Sequence, residues 1–155
     1  MADVHDIQTR SRNMAAVRGK DTMPELIVRK SLHKLGFRYK LHDKDLPGKP
    51  DLVFPRYNAV IQINGCFWHR HDCHFFKWPS TRREFWRKKL TRNNLKDTEY
   101  LNALKSTGWR VLTIWECALK GRERQNLTEL IEDVAYWLNS GSQCHVIEGS
   151  SIRRT

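Results

Sequence analysis

The sequence predicts an α/β fold in which a small mixed sheet is flanked by helices. Short apolar runs typical of strands lie at residues 51–54, 59–63 and 109–116. Segments with apolar residues three and four positions apart, the spacing of amphipathic helices, lie on either side of these runs. A chain of 155 residues suits one domain with a single core, so we expect one unit over residues 1–155.

The first part of the chain contains two predicted helices. Residues 9–17 are compatible with a short helix. The sequence TMPE at 22–25 fits a capping box with an early proline, and it begins a predicted helix over residues 23–35 that ends at Gly36. Glu25 falls on the apolar stripe of this helix, so its carboxylate is aimed near the core.

Three strands are predicted next. Residues 37–41 alternate apolar and basic side chains, which is the pattern of a half-buried strand. The loop sequence LPGKP follows. The apolar runs 51–54 and 59–63 are separated by a four-residue turn at 55–58, so they predict a hairpin.

The second half of the chain predicts helices around one more strand. Ser80 is expected to cap a charged helix, a second helical stretch runs to Lys105, and Gly108 stops it. A strand at 109–116 follows, and a final amphipathic helix is marked by Leu127, Leu130, Ile131, Val134 and Leu138. The polar tail at 141–155 is expected to be flexible.

The charge of the chain favours a nucleic acid partner. Lys and Arg number 28 against 17 Asp and Glu, and a net charge of +11 attracts polyphosphates. A basic surface that serves only solubility is the alternative. No stretch approaches the length of a membrane span, and the N-terminus lacks the apolar segment of a secretion signal, so we expect a soluble, cytoplasmic protein without a membrane partner.

Cysteine and histidine residues are crowded in one short segment. An intracellular chain keeps its thiols reduced, so metal ligation is favoured over disulfides. Three thiolates and one imidazole form a closed tetrahedral set suited to a structural Zn²⁺, and the predicted ligands are Cys66, His71, Cys73 and Cys117. His69 or His74 could replace His71 as a ligand, and Cys144 in the tail is a weak candidate. Unligated cysteines packed as small apolar residues are the alternative.

A catalytic site is predicted at the ends of the hairpin. Asp51 opens the first strand, and Ile63 and Asn64 close the second, so the two ends should be neighbours. His69 follows a few residues later, and Glu25 points inward from the preceding helix. Together they supply a Mg²⁺ ligand, a base for water and a supporting acid. Each has a simpler interpretation, as a turn aspartate, a loop histidine and a capping-box acid.

Several specific blocks carry a family resemblance. They read NMAAVRGKDTMPE, LPGKPD, GCFWHRHDC, WPSTRREFW and GWRVLTIWEC, and they extend from about residue 13 to residue 119. In these blocks the chain resembles the very short patch repair endonucleases, which nick DNA beside a T·G mismatch. The resemblance implies a restriction-endonuclease-like fold, a structural zinc and a magnesium-dependent active site.

The resemblance also implies roles for individual residues. Asp51 and the backbone carbonyl of Ile63 would bind Mg²⁺, His69 would activate the hydrolytic water, and Glu25 would support the site. Zinc would be held by Cys66, His71, Cys73 and Cys117.

One departure from the wider superfamily affects the strand after the hairpin. An acid-x-Lys pair is expected there, whereas this chain has Gln62, Ile63 and Asn64. Gln62 supplies no carboxylate and Asn64 no ammonium group, so His69 carries more of the chemistry. Some family members have Thr and His at the last two of these positions, which leaves a backbone ligand intact but predicts no side-chain role there.

Aromatic residues among basic ones are implied to contact the DNA. Phe67, Trp68 and Trp86 would wedge between base pairs, where unstacking costs less at a mismatch. Met14, in an N-terminal arm over residues 1–20, would contact the bases from the opposite groove. Residues like Lys89 and Asn93 would read the wobble pair. The alternative for Trp86 and Met14 is simple packing.

The leading hypothesis is therefore an enzyme that nicks DNA on the 5′ side of the mismatched thymine with Mg²⁺. The rivals are a zinc-stapled DNA-binding module without catalysis and a restriction-type nuclease that cuts matched duplex. We expect a monomer, since a single nick needs only one active site, and mismatch-repair proteins are candidate partners.

Overall fold

The structure is a computed structural model that describes residues 21–150. Within them lies a five-stranded sheet in the order β1-β2-β3-β4-β5. The strands are β1 (Lys40–Leu41), β2 (Leu52–Phe54), β3 (Ala59–Asn64), β4 (Arg110–Trp115) and β5 (Cys144–Ile147). The first two pairings are antiparallel and the last two parallel, which confirms the predicted mixed sheet. The expected helix at 9–17, with Met14 and the arm over residues 1–20, lies outside the described residues.

Four helices accompany the sheet in the described part of the chain. They are α1 (Met23–Lys34), α2 (Arg83–Ser106), α3 (Glu116–Leu119) and α4 (Leu127–Ser140), and a 3-10 helix (Pro55–Tyr57) forms the turn of the predicted hairpin. Helix α1 begins as its capping sequence predicts, because the Thr22 side chain accepts the backbone N–H of Glu25. No helix of the described residues is long and apolar enough to cross a membrane.

The strands bury alternate side chains on the two faces of the sheet. Leu52, Phe54 and Ile61 belong to the cluster that also contains the apolar residues of α1 and α4. Their sequence neighbours Val53 and Val60 belong to a second cluster with Leu104 of α2 and Val111 of β4. Because neighbouring residues in a strand face opposite sides, α1 and α4 cover one face and α2 covers the other. Both faces are therefore apolar.

Two predicted boundaries are wrong. Ser80 does not cap a helix: α2 is preceded by Arg82 in the left-handed conformation, with no side-chain cap, and runs as one helix of 24 residues. The strand expected over residues 37–41 pairs only at Lys40 and Leu41, and at the start of this segment the backbone N–H of Phe37 donates to the carbonyl of Leu32 in α1 instead. The remaining strands and α4 lie where the sequence places them.

The tail predicted to be flexible from residue 141 contains a strand. Residues 144–147 pair in parallel with β4, and Ile147 is buried in the main core. The other three side chains of β5 are exposed, so the segment shows no apolar run by which sequence could find it. Its N–H and C=O groups bond to β4, and this pairing holds it on the sheet.

Candidate active site and metal centre

The predicted active-site residues line one cleft of about 1800 Å³. The cleft opens at the end of β3, beside the start of the antiparallel strand β2 and where the loop after residue 64 begins. Its lining includes Glu25, Asp51, Ile63, Phe67, Trp68, His69 and Asn93. One concave surface is therefore shared by residues from a helix, a hairpin and a long loop. The sequence had predicted that these residues are neighbours.

Asp51 lies immediately before β2, against the last residues of β3. Its Oδ2 accepts the backbone N–H of Ile63 at 2.7 Å. In a strand the N–H and C=O of one residue point to the same side, so the carbonyl of Ile63 also faces the side on which Asp51 lies. A carboxylate and a carbonyl are ligands that suit a hard divalent cation.

The pKa of Asp51 is raised from 3.8 to about 6. Burial is the main cause, and the negative charge of Glu25 adds to it, while the N–H of Ile63 and the nearby His42 and His69 act in the opposite direction. The ionised carboxylate is therefore poorly compensated by the protein alone. A bound cation at Asp51 would compensate it.

Glu25 is buried at 2% exposure and held by three donors. Its Oε1 accepts the backbone N–H of Asp21 at 3.0 Å, and its Oε2 accepts from Arg29 at 2.8 Å and lies 2.7 Å from His42 Nε2. This contact with His42 was not predicted. Pairing of β1 with β2 places residue 42 opposite residue 51, so the register would have been the signal.

A group of possible metal ligands is formed by Asp21, Glu25 and His42, whose ligand atoms lie within 4.8 Å of one another. Arg29 contacts both carboxylates of this group, at 2.7 Å and 2.8 Å. Because its guanidinium already supplies the positive charge, we assign no metal to this group.

His69 is oriented by a carboxylate that the sequence did not reveal. Its Nδ1 lies 2.6 Å from Oδ2 of Asp97, which is on α2. Since a carboxylate accepts, Nδ1 carries the proton, and Nε2 of the neutral ring is the basic nitrogen. A histidine held this way can take a proton from water.

The residues predicted as zinc ligands form one cluster. The ligand atoms of Cys66, His71, Cys73 and Cys117 all lie within 4.8 Å of one another. Burial, the largest cause, raises the pKa of the Cys66 thiol and of the Cys117 thiol, and the neighbouring thiol of Cys73 raises both further. Because their pKa values are raised, the neighbouring thiols of Cys66 and Cys117 ionise together only if a cation compensates their charge. The cluster can therefore hold a thiophilic metal ion.

The structure also separates His71 from the other candidate ligands. His69 is paired with Asp97, and His74 lies 3.3 Å from a carboxylate oxygen of Glu123. Cys144 is exposed on β5. His71 alone among these histidines belongs to the cluster.

The orientation of the His71 ring shows which nitrogen faces the metal site. Its Nδ1 is 3.6 Å from the sulfur of Cys117, and its Nε2 is 3.0 Å from Oε1 of Glu148. The ring stacks on Trp115 at 4.0 Å between centroids, and the backbone N–H of Gly149 donates to the sulfur of Cys117 at 3.3 Å. Nδ1 is therefore the nitrogen that faces the thiols, and Glu148, from the supposed tail, fixes the ring.

The predicted wedge residues pack against one another. The ring of Phe67 lies 5.1 Å from that of Trp68 and 5.3 Å from that of Trp86, and the two tryptophans are 5.7 Å apart. Trp68 is only 8% exposed. Asn93 donates to the carbonyl of Trp68 at 3.1 Å, and Lys89 is half-buried on the same helix. The aromatic rings form one cluster in which Trp68 is buried and Phe67 and Trp86 are half-buried.

Sequence comparison decides the family. A family model described as DNA mismatch endonuclease Vsr matches residues 2–75. The DNA mismatch endonuclease Vsr of Escherichia coli is 45% identical over 138 residues, which cover 89% of this chain and 88% of that protein. The chain belongs to the Vsr family of DNA mismatch endonucleases. This confirms the resemblance to the very short patch repair endonucleases.

Two type II nicking enzymes are also similar to this Vsr family member. V.XorIIP of Xanthomonas oryzae is 43% identical over 119 residues, covering 77% of this chain and 88% of that enzyme. V.NmeAIP of Neisseria meningitidis is 38% identical over 136 residues, covering 86% of this chain and 97% of that enzyme. The family confirms the predicted enzyme class, a strand-nicking DNA endonuclease and hence a hydrolase that acts on DNA.

Proposed function

We propose that this protein nicks one strand of DNA on the 5′ side of the thymine in a T·G mismatch, in a Mg²⁺-dependent hydrolysis. The observation that supports it best is the shared cleft, which is lined by Asp51, Ile63, His69 and the Phe67–Trp68 pair. Residues 1–155 act as a single nuclease domain. The enzyme works as a cytoplasmic monomer.

The residues around Asp51 fit a magnesium ion. Mg²⁺ commonly uses one or two protein oxygens and leaves its other positions to water and phosphate. The carboxylate of Asp51 and the carbonyl of Ile63 would hold it, and Glu25 supports them from the buried side of the cleft. When bound, the ion stabilises the negative charge that develops on the scissile phosphate.

His69 is the general base of this proposal. Its Nε2 accepts the proton of the attacking water, and the imidazolium that forms is stabilised by Asp97 at 2.6 Å from Nδ1. Glu25 acts only on the shape and charge of the site, because its oxygens are already held by three donors.

The aromatic cluster recognises the mismatch by the ease with which the DNA duplex is deformed there. Phe67, Trp68 and Trp86 separate neighbouring base pairs, which costs a few kcal/mol and is less costly at a mismatch. Because Trp68 is 8% exposed, the cluster opens as the DNA enters. Lys89 and Asn93 read the wobble pair beside it, and Met14 contacts the bases from the other groove.

Zn²⁺ fits the cluster of Cys66, His71, Cys73 and Cys117. Three thiolates with one imidazole form a closed tetrahedral site, and ligand atoms within 4.8 Å of one another match the spacing of such a set. All four positions are filled by protein, so the ion would be structural. It would hold the loop that carries Phe67, Trp68 and His69.

A nicking assay tests this function. A duplex labelled on the thymine strand of one T·G pair and its matched T·A counterpart are incubated with enzyme, with and without Mg²⁺. We expect one nick 5′ to the thymine, in the mismatched duplex and with Mg²⁺ only. Mg²⁺ is omitted rather than removed by chelation, because a chelator would also extract zinc.

Two variants separate the proposal from its rivals. Asp51→Ala and His69→Ala should bind the T·G duplex and fail to nick it, whereas His145→Ala, on exposed β5, should behave as wild type. A wild-type protein that binds and never nicks would be a DNA-binding module. Equal cleavage of both strands of matched DNA would indicate a restriction-type nuclease.

A further inference from the structure

We propose that His42 is a positioning residue of the active site, which joins the buried carboxylate of Glu25 to the carboxylate of Asp51. The inference rests on the proposed function for the role of Asp51 as a metal ligand. It goes beyond that function, because it assigns to His42 the task of holding the ligand in place.

The imidazole of His42 lies between the two carboxylates. Its Nε2 is 2.7 Å from Oε2 of Glu25 and 3.9 Å from Oδ1 of Asp51. Because Glu25 is hydrogen-bonded as an acceptor, Nε2 carries a hydrogen in the neutral and in the protonated ring alike. The orientation of the ring therefore does not depend on its charge.

The backbone of His42 is tied to Asp51 as well. Its N–H donates to the carbonyl of Asp51 at 3.1 Å, which continues the β1–β2 pairing by one residue. Its φ of 47° lies in the left-handed region, which side-chain-bearing residues other than Asn, Asp and His seldom adopt. Such backbone conformations occur preferentially at functional sites. Two separate contacts thus connect residues 42 and 51.

Glu25 is a rigid anchor for this histidine. It is buried, and Asp21 and Arg29 hold its two oxygens at 3.0 Å and 2.8 Å. A side chain fixed in this way leaves His42 little freedom to turn.

Asp51 is held at one carboxylate oxygen and flanked at the other. Oδ2 accepts the N–H of Ile63 at 2.7 Å, and Oδ1 lies 3.9 Å from Nε2 of His42, which is an ion-pair distance and not a hydrogen bond. A carboxylate that is oriented before the cation arrives binds it more strongly than one that must first become ordered. Removal of His42 should therefore weaken divalent metal binding at Asp51 and leave DNA binding unaffected.

The test compares His42→Ala and His42→Gln with His145→Ala, a histidine on β5 whose contact is Asp133 at 3.4 Å. Mn²⁺ serves as a paramagnetic probe, and its binding to the zinc-loaded protein without DNA is measured by electron paramagnetic resonance. The Mg²⁺ concentration for half-maximal single-turnover nicking and the affinity for the T·G duplex without Mg²⁺ are measured in parallel.

We expect His42→Ala to weaken Mn²⁺ binding roughly tenfold or more, as is typical for residues that orient a metal ligand, and to raise the Mg²⁺ requirement of nicking in parallel. His42→Gln should recover part of the Mn²⁺ affinity and part of the wild-type Mg²⁺ requirement, because its amide N–H can donate to Glu25. Duplex affinity should stay at the wild-type value in all three variants. In an Asp51→Ala background the His42→Ala change should have no further effect on Mn²⁺ binding.

Wild-type Mn²⁺ binding in His42→Ala would overturn the inference. The inference would also fail if His42→Ala and His42→Gln lost equal Mn²⁺ affinity and this loss matched their loss of folding stability. A residue with a merely structural role would behave in this way. If His42→Ala does not fold, His42→Asn replaces it, because Asn tolerates the left-handed backbone and its side chain is shorter. Failure of the wild type to nick would reject the proposed function only, as the Mn²⁺ measurement does not depend on nicking.

Discussion

Asp51→Asn should raise the free energy of unfolding of the protein at neutral pH when no Mg²⁺ is present. The pKa of Asp51 is raised from 3.8 to about 6, chiefly by burial, so folding disfavours its ionised form. A shift of this size corresponds to roughly 3 kcal/mol at 1.36 kcal/mol per pKa unit. The asparagine carbonyl can still accept the N–H of Ile63 at the position of Oδ2. The substitution therefore removes the charge and keeps the hydrogen bond.

The pH dependence has a defined direction. A raised carboxylate pKa destabilises the fold above the folded-state value, and the cost disappears as the pH falls from about 6 towards 3.8, where the group is protonated in both states. We expect Asp51→Asn to exceed wild type by about 2–3 kcal/mol in the free energy of unfolding at pH 7.5 without added Mg²⁺. The difference should shrink steadily below pH 6.

Urea denaturation of both proteins over pH 4.5 to 8 measures this difference, and subtraction of one protein from the other removes the contribution of all shared groups. Asp133→Asn, at an exposed aspartate of α4, is the matched control and should gain nothing. Added Mg²⁺ should raise the stability of wild type and not that of Asp51→Asn. A variant that is equally or less stable than wild type at pH 7.5 would refute the reasoning.

Three further predictions follow from the contacts of the site. Asp97→Asn should slow single-turnover nicking by on the order of 10²-fold or more with unchanged duplex binding, because a neutral amide no longer stabilises the imidazolium and can hold the ring of His69 in the wrong tautomer; an unchanged rate would show that His69 is not the base. Glu148→Gln should weaken zinc binding by about 10–100-fold in a chelator competition, and exposed Glu132→Gln should not; equal affinities would mean that Glu148 does not fix His71. Phe67→Ala should reduce the preference for T·G over matched duplex in direct binding measurements; an unchanged preference would exclude a wedge role.

The sequence predicted the elements that depend on local patterns. The apolar runs of β2, β3 and β4 are buried on both faces, so their signal is strong and their positions are confirmed. The cap of α1 is confirmed because it involves residues only three apart, Thr22 and Glu25. Strand β5 was missed because only Ile147 of its four side chains is buried, and its stability comes from pairing with β4.

The sequence missed the residues that act through distant contacts. His42 lies 17 positions from Glu25, Asp97 lies 28 from His69, and Glu148 lies 77 from His71. Each supports a residue that the sequence did single out. A residue type with unusual chemistry or spacing can be recognised in a sequence, whereas its supporting carboxylate or imidazole looks like any other polar residue until the fold brings it close.

The loop after β3 carries proposed metal ligands, the proposed wedge residues and the proposed general base. The order of this loop therefore decides whether these residues work together. The loop has no regular secondary structure, yet side chains from elsewhere hold its backbone: Glu116 accepts the N–H of Cys66 at 3.0 Å, and Asn93 donates to the carbonyl of Trp68 at 3.1 Å. Cys66 and Cys117 belong to the candidate metal cluster, which joins this loop to the end of β4. Because wedge and base share one short backbone, loss of the metal should impair DNA discrimination and nicking together, whereas loss of His42 should impair nicking alone.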